Sequence, residues 1–104
     1  MSHKLKVGLI QMSCESNPEK NLADALKQIT AAAKKGAQII CLPELFKSLY
    51  FPQTENANNF ELAETIPGPT TEALTSIAKK EGVVIIGSLF EKRARGVYHN
   101  TAVV

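Results

Sequence analysis

Glu44 is the residue whose type and surroundings most suggest chemistry. It sits near the end of the run AQIICLPELF, Ala37 to Phe46, with Pro43 before it and Leu42, Leu45 and Phe46 around it. A carboxylate is costly to bury among apolar side chains unless something answers it, so a glutamate at the end of a core strand asks for a chemical reason. The reason on offer is proton transfer: an apolar setting disfavours the charged form and suits a group that takes and returns protons near neutral pH. The alternative is a helix-capping or surface glutamate in a loop, and spacing alone leaves both readings open.

Other reactive side chains are few. Cys14 and Cys41 show no CxxC spacing and no nearby pair of histidines, so they indicate neither a disulfide framework nor a zinc site. Cys41 lies inside an apolar run and reads as packing. Cys14 follows the first apolar run and would share a sheet edge with Glu44 if the two strands are neighbours, which makes it the rival nucleophile already in the chain. Tyr50 and Phe51, on the loop after Glu44, are candidate substrate-binding residues: aromatic side chains there would exclude water and contact an apolar substrate stem. They would equally serve to anchor the loop. Glu91 flanks a hairpin, His99 reads as a hydrogen-bonded strand residue, and Asn100 as support for the hairpin backbone.

These groups must be positioned by one small core. With 104 residues, 44% of them hydrophobic and 21% charged, the composition is that of a single globular domain. The formal net charge is +2, and the basic residues are scattered rather than gathered into an aromatic-laced patch. Lys34 with Lys35, and Lys79 with Lys80, fall where helices should end, which the helix dipole explains without nucleic acid. The apolar stretch in MSHKLKVGLIQM is too short for a signal peptide, and no apolar run reaches the roughly 18 residues of a membrane span. The expectation is a cytoplasmic protein with neither nucleic-acid nor membrane partners.

The apolar patterning gives the order of elements. Lys4 to Gln11 reads as a strand covered on both faces, as in parallel or mixed sheets flanked by helices. Ser16, Asn17, Pro18 and Glu19 start a helix whose Leu22, Ala25, Leu26, Ile29, Ala32 and Ala33 form one face, and Gly36 stops it. Ala37 to Leu42 is a second strand, parallel to the first. Lys47 to Pro69 is a long irregular stretch containing Tyr50, Phe51 and Phe60, whose aromatics favour an ordered loop. A second helix runs from Gly68 and Pro69 to about Glu81, a third strand over Val83 to Phe90, a turn at residues 93 to 96, and a fourth, antiparallel strand over Val97 to Val104. Four strands with two helices leave one sheet face uncovered, and TAVV stops within a strand, so the expectation is the front part of a larger domain.

The succession KVGLIQM, a helix beginning NPEKN, GAQIICLPELF, a loop containing YFPQ, IPGPTTEAL, VVIIGSLFEK and YHNTAVV resembles the nitrilase superfamily of carbon-nitrogen hydrolases across essentially all 104 residues. The YF-Q element and the YHNTAVV ending look most like N-carbamoylputrescine amidases and β-ureidopropionase-like members, the former tied to polyamine biosynthesis. The resemblance implies an α/β fold, specifically the N-terminal part of an α-β-β-α sandwich with a mixed sheet and helices on one face. It also implies hydrolysis of amides, carbamoyl amines or nitriles by a Glu, a Lys and a nucleophilic Cys, with no metal and no organic cofactor.

Of those three groups only the Glu maps here, onto Glu44 of CLPELF. The family's Lys and Cys fall beyond Val104, so residues 1–104 read as one incomplete domain. Nothing like the family's GxxxCxD turn surrounds Cys14, and the resemblance assigns His99 no role in the chemistry. The implied partner is a small-molecule N-carbamoyl amine or ω-amide, and the full-length form is expected to be a homo-oligomer. The rival from another class is a truncated, non-catalytic module that binds small molecules or partner subunits.

Overall fold

In the computed structural model, residues 4–48 and 57–104 are described, the side chains of 57–59 excepted. Four strands and two α-helices follow one another as β1 (Val7–Leu9), α1 (Pro18–Lys34), β2 (Ile39–Cys41), a 3-10 helix (Ala57–Leu62), α2 (Pro69–Glu81), β3 (Val84–Ala94) and β4 (Val97–Val103). The sheet order is β1-β2-β3-β4, with β1, β2 and β3 parallel and β4 antiparallel to β3. This is the mixed sheet that the apolar runs and the strand-helix-strand spacing imply.

Each helix starts for a local reason. At α1 the Asn17 side chain accepts the Glu19 and Lys20 N–H groups at 3.0 and 3.4 Å, and Pro18 takes the first helical position, where its missing N–H costs nothing. At α2 the Gly68 N–H donates to the Thr71 hydroxyl at 2.7 Å. A Cβ at Gly68 would collide with the carbonyl oxygen of Thr65, so only glycine allows this tight entry.

Both helices pack on one sheet face. Adjacent strands align Gly8, Ile40 and Ile85 in one row, and these residues point toward the helices. Gly8 has no side chain because α1 comes so close: a Cβ there would lie 3.3 Å from those of Ala32 and Ala37. Ala25 and Ile29 of α1, Leu74 of α2, and Ile40, Ile85 and Leu89 of the sheet close the core together with Phe46. Each large aliphatic side chain buried there is worth about 1.5–3 kcal/mol.

The opposite face is open. Val7, Leu9 and Val84 are 51%, 75% and 46% exposed, and they alternate with the core-facing row, so β1 is covered on one face where its sequence suggests two. With Ile39, Cys41 and Ile86 they form two apolar rows across three strands. Such a contiguous patch is rarely left in water. Isolated residues 1–104 should therefore bind ANS with a marked rise in fluorescence and self-associate in sedimentation velocity. A monodisperse monomer silent to ANS would show that this face is not sticky.

Three boundaries depart from the sequence reading. β1 and β2 are shorter than the apolar runs that contain them. β3 continues past Phe90 to Ala94, a register shift between Lys92 and Ala94 takes up Arg93, and the turn tightens to Arg95 and Gly96. The stretch after Lys47 is not wholly irregular, because Ala57–Leu62 forms a 3-10 helix. Phe60 anchors that helix, with ring centroids 4.6 Å from Tyr98 and 6.1 Å from Phe90.

Candidate active site

The site begins where β2 ends. After Cys41 the chain leaves the sheet through Leu42 and Pro43 and turns over Glu44 to Lys47. Leu45 has φ of +49°, a left-handed conformation that costs a β-carbon residue on the order of 1–3 kcal/mol. Burial offsets this, since the turn inserts Leu45 (4% exposed) and Phe46 (0%) into the interior. The Leu45 N–H, freed by the turn, donates to Ser88 Oγ at 3.1 Å.

Turning Leu45 and Phe46 inward turns Glu44 outward. Its side chain is exposed, whereas the apolar residues around it in sequence suggest a buried carboxylate. It is nevertheless held: Asn100 Nδ2 donates to Glu44 Oε1 at 2.6 Å, and Ser88 Oγ donates to Asn100 Oδ1 at 3.0 Å. Ser88 faces Ala102 across the hairpin, so Asn100 is its diagonal neighbour on the same sheet face. Asn100 thus does more than support the hairpin backbone. It ties β4 to the turn after β2.

Polar groups below the turn fix its far side. Asn21, fully buried on the same α1 stripe as Ala25 and Ile29, donates through Nδ2 to the carbonyl oxygens of Glu15 (2.7 Å) and Lys47 (3.0 Å) and accepts the Glu15 N–H through Oδ1 at 2.8 Å. Lys47 Nζ reaches Glu64 Oε2 at 3.0 Å, with both side chains mostly buried. Glu64 also accepts the Thr70 N–H and hydroxyl, each at 2.8 Å, so its two oxygens meet a cation and the start of α2. A mostly buried ion pair with this many hydrogen bonds fixes geometry more than it adds stability.

The remaining candidates fall as follows. Cys14 lies under the same turn, its Sγ donating to the Phe46 carbonyl oxygen at 3.1 Å, and burial pushes its thiol above its ordinary value. That is the setting of a protonated, structural thiol. Cys41 is half-buried within β2, as packing requires. Glu91 accepts from Thr101 Oγ1 at 2.8 Å across the hairpin, and His99 is exposed on β4. Tyr50 and Phe51 lie outside the described residues.

Sequence reasoning missed Ser88, Asn21 and the Lys47, Glu64 and Thr70 cluster. Two of these carried a readable signal: Ser88 is the one hydroxyl in VVIIGSLF, and Asn21 is the one amide on the apolar stripe of α1.

The family model for carbon-nitrogen hydrolases matches residues 6–104. The chain belongs to the carbon-nitrogen hydrolase family. It is 39% identical to an omega-amidase of Xenopus laevis over 105 residues, covering 97% of this chain and 35% of that protein. It is 36% identical to an N-carbamoylputrescine amidase of Solanum lycopersicum over 99 residues, covering 94% of this chain and 33% of that protein. The crystal structure of a carbon-nitrogen hydrolase from Helicobacter pylori superposes with a TM-score of 0.81 at 34% identity, over 94% of this chain and 34% of that one. This carbon-nitrogen hydrolase chain thus spans about a third of the length of the curated relatives it matches.

Proposed function

We propose that this chain supplies the general base of a thiol-dependent hydrolase acting on a non-peptide carbon-nitrogen bond, in an ω-amide or an N-carbamoyl amine. The observation that carries the reading is Glu44 itself: an accessible carboxylate at the edge where parallel β1 and β2 end, on a buried and strained turn, with one oxygen held by Asn100. An omega-amidase and an N-carbamoylputrescine amidase among the relatives support the substrate class. The nucleophilic Cys and the Lys belong to the chain beyond Val104, which makes residues 1–104 the first part of one catalytic domain.

The chemistry follows from the groups. Glu44 takes the proton of the cysteine thiol, and the thiolate attacks the amide or carbamoyl carbon. The Lys stabilises the oxyanion that forms there. Collapse of the adduct breaks the C–N bond, Glu44 returns the proton to the leaving nitrogen, and ammonia departs to leave a thioester. Glu44 then takes a proton from water, which attacks the thioester, and the thiol is restored. For carbamoyl substrates, whose ammonia has already left, hydrolysis frees an N-substituted carbamic acid that breaks down to the free amine and carbon dioxide. Tyr50 and Phe51 line the substrate's apolar stem in this reading, the protein works in the cytoplasm, and the full-length form is a homo-oligomer.

The test uses the chain extended through the downstream Lys and Cys. It should release ammonia from N-carbamoylputrescine or from a simple ω-amide, and acid-quenched samples should carry a carbamoyl or acyl adduct on the cysteine by intact mass. The adduct identifies the substrate class. A folded protein that yields neither ammonia nor adduct with either class would contradict the assignment.

A further inference from the structure

Glu44 has two carboxylate oxygens, and the structure treats them differently. We propose that Asn100, backed by Ser88, is a positioning residue that occupies Oε1 and leaves Oε2 as the oxygen that carries the proton. This rests on the reading of Glu44 as the base.

The argument is one of donors and acceptors. Ser88 has a single hydroxyl proton, and its oxygen already accepts the Leu45 N–H at 3.1 Å. That proton goes to Asn100 Oδ1, 3.0 Å away. With Oδ1 so engaged, the Asn100 amide can present only its NH2 group to Glu44, 2.6 Å away. The opposite orientation would set an amide oxygen against a carboxylate oxygen, with no proton between them. The relay therefore has one sense, running from the Leu45 backbone through Ser88 and Asn100 to Glu44 Oε1.

The relay also starts and ends on one turn. Leu45 N–H and the Glu44 carboxylate belong to adjacent residues, and Ser88 and Asn100 bridge them from β3 and β4. The strained turn and the carboxylate it carries are thus registered against the hairpin together. A residue that holds the base in this way acts on the rate of proton transfer more than on substrate affinity, because small misplacements of a reacting group are expensive. Its removal should appear in kcat rather than KM.

The experiment is a double-mutant cycle in the extended chain, measuring kcat, KM and melting temperature for Asn100→Leu, Glu44→Gln and the pair, at enzyme concentrations that keep the slow variants above blank. Asn100→Leu should lower kcat by about 10- to 100-fold with KM within about twofold, and should cost nothing further in the Glu44→Gln background. A loss below tenfold, or the same loss in both backgrounds, would show that Asn100 does not act through Glu44. If Asn100→Leu fails to fold, Ser88 decides: Ser88→Ala should lower kcat and Ser88→Thr, which keeps the hydroxyl, should restore it. Equal activity of the two Ser88 variants would overturn the relay. If Glu44→Gln is itself neutral, the reading of Glu44 as the base fails, an outcome distinct from failure of the relay alone.

Discussion

Purified residues 1–104 should release no ammonia from N-carbamoylputrescine or from simple ω-amides above the buffer blank. In the proposed mechanism Glu44 serves a nucleophile and an oxyanion-stabilising Lys that are not among these residues, and a base without a nucleophile has nothing to activate. The two thiols within the chain are poorly set to act as nucleophiles. Cys41 is half-buried in β2, and Cys14 donates its proton to the Phe46 carbonyl oxygen while burial pushes its thiol above its ordinary value, which disfavours the reactive thiolate. The measurement is ammonia release over hours at high protein concentration, for wild type and Cys14→Ser. Robust turnover that disappears in Cys14→Ser would promote Cys14 to nucleophile and overturn the need for downstream groups.

The order of elements was legible because each apolar run carried its own period and punctuation. Asn17 and Pro18 open α1, Gly82 closes α2 with a φ of +66°, and the strand-helix-strand spacing leaves β1 and β2 little choice but to lie parallel. The position of Glu44 at the sheet edge followed from that order. Its surroundings did not. Apolar neighbours in sequence imply a buried carboxylate only if the chain runs straight, and the left-handed turn at Leu45 sends Leu45 and Phe46 inward and Glu44 out.

The partners of Glu44 were out of reach for a different reason. Asn100 is 56 positions away, and its contact depends on the exact register of β3 on β4, in which Ser88 meets Ala102 and Phe90 meets Asn100. No local pattern encodes that register. The 3-10 helix at Ala57–Leu62 was similarly hidden, since it shows no apolar period and is tied down by Phe60 against Phe90 and Tyr98 of the distant hairpin. Lys47 and Glu64 look like two ordinary charges in sequence, and their pairing appears only once α2 begins at Pro69 and turns Thr70 onto the same carboxylate.

The second large effect concerns Glu44 as the proton acceptor. Glu44→Gln keeps the length, shape and Oε1 acceptor of the side chain, so the Asn100 contact can persist, but an amide takes no proton. The side chain is exposed and lies outside the core, so folding should survive the change. Loss of a general base costs on the order of 10² to 10⁴ in rate, and a base used both in forming and in hydrolysing the thioester belongs at the upper end. The decisive measurement is kcat/KM beside the melting temperature, for wild type and Glu44→Gln in the chain extended through the downstream Lys and Cys. A fall of at least about 100-fold with an unchanged melt is the expected result. A fall of less than about tenfold with an unchanged melt would make Glu44 a structural residue of the turn and remove it from the chemistry.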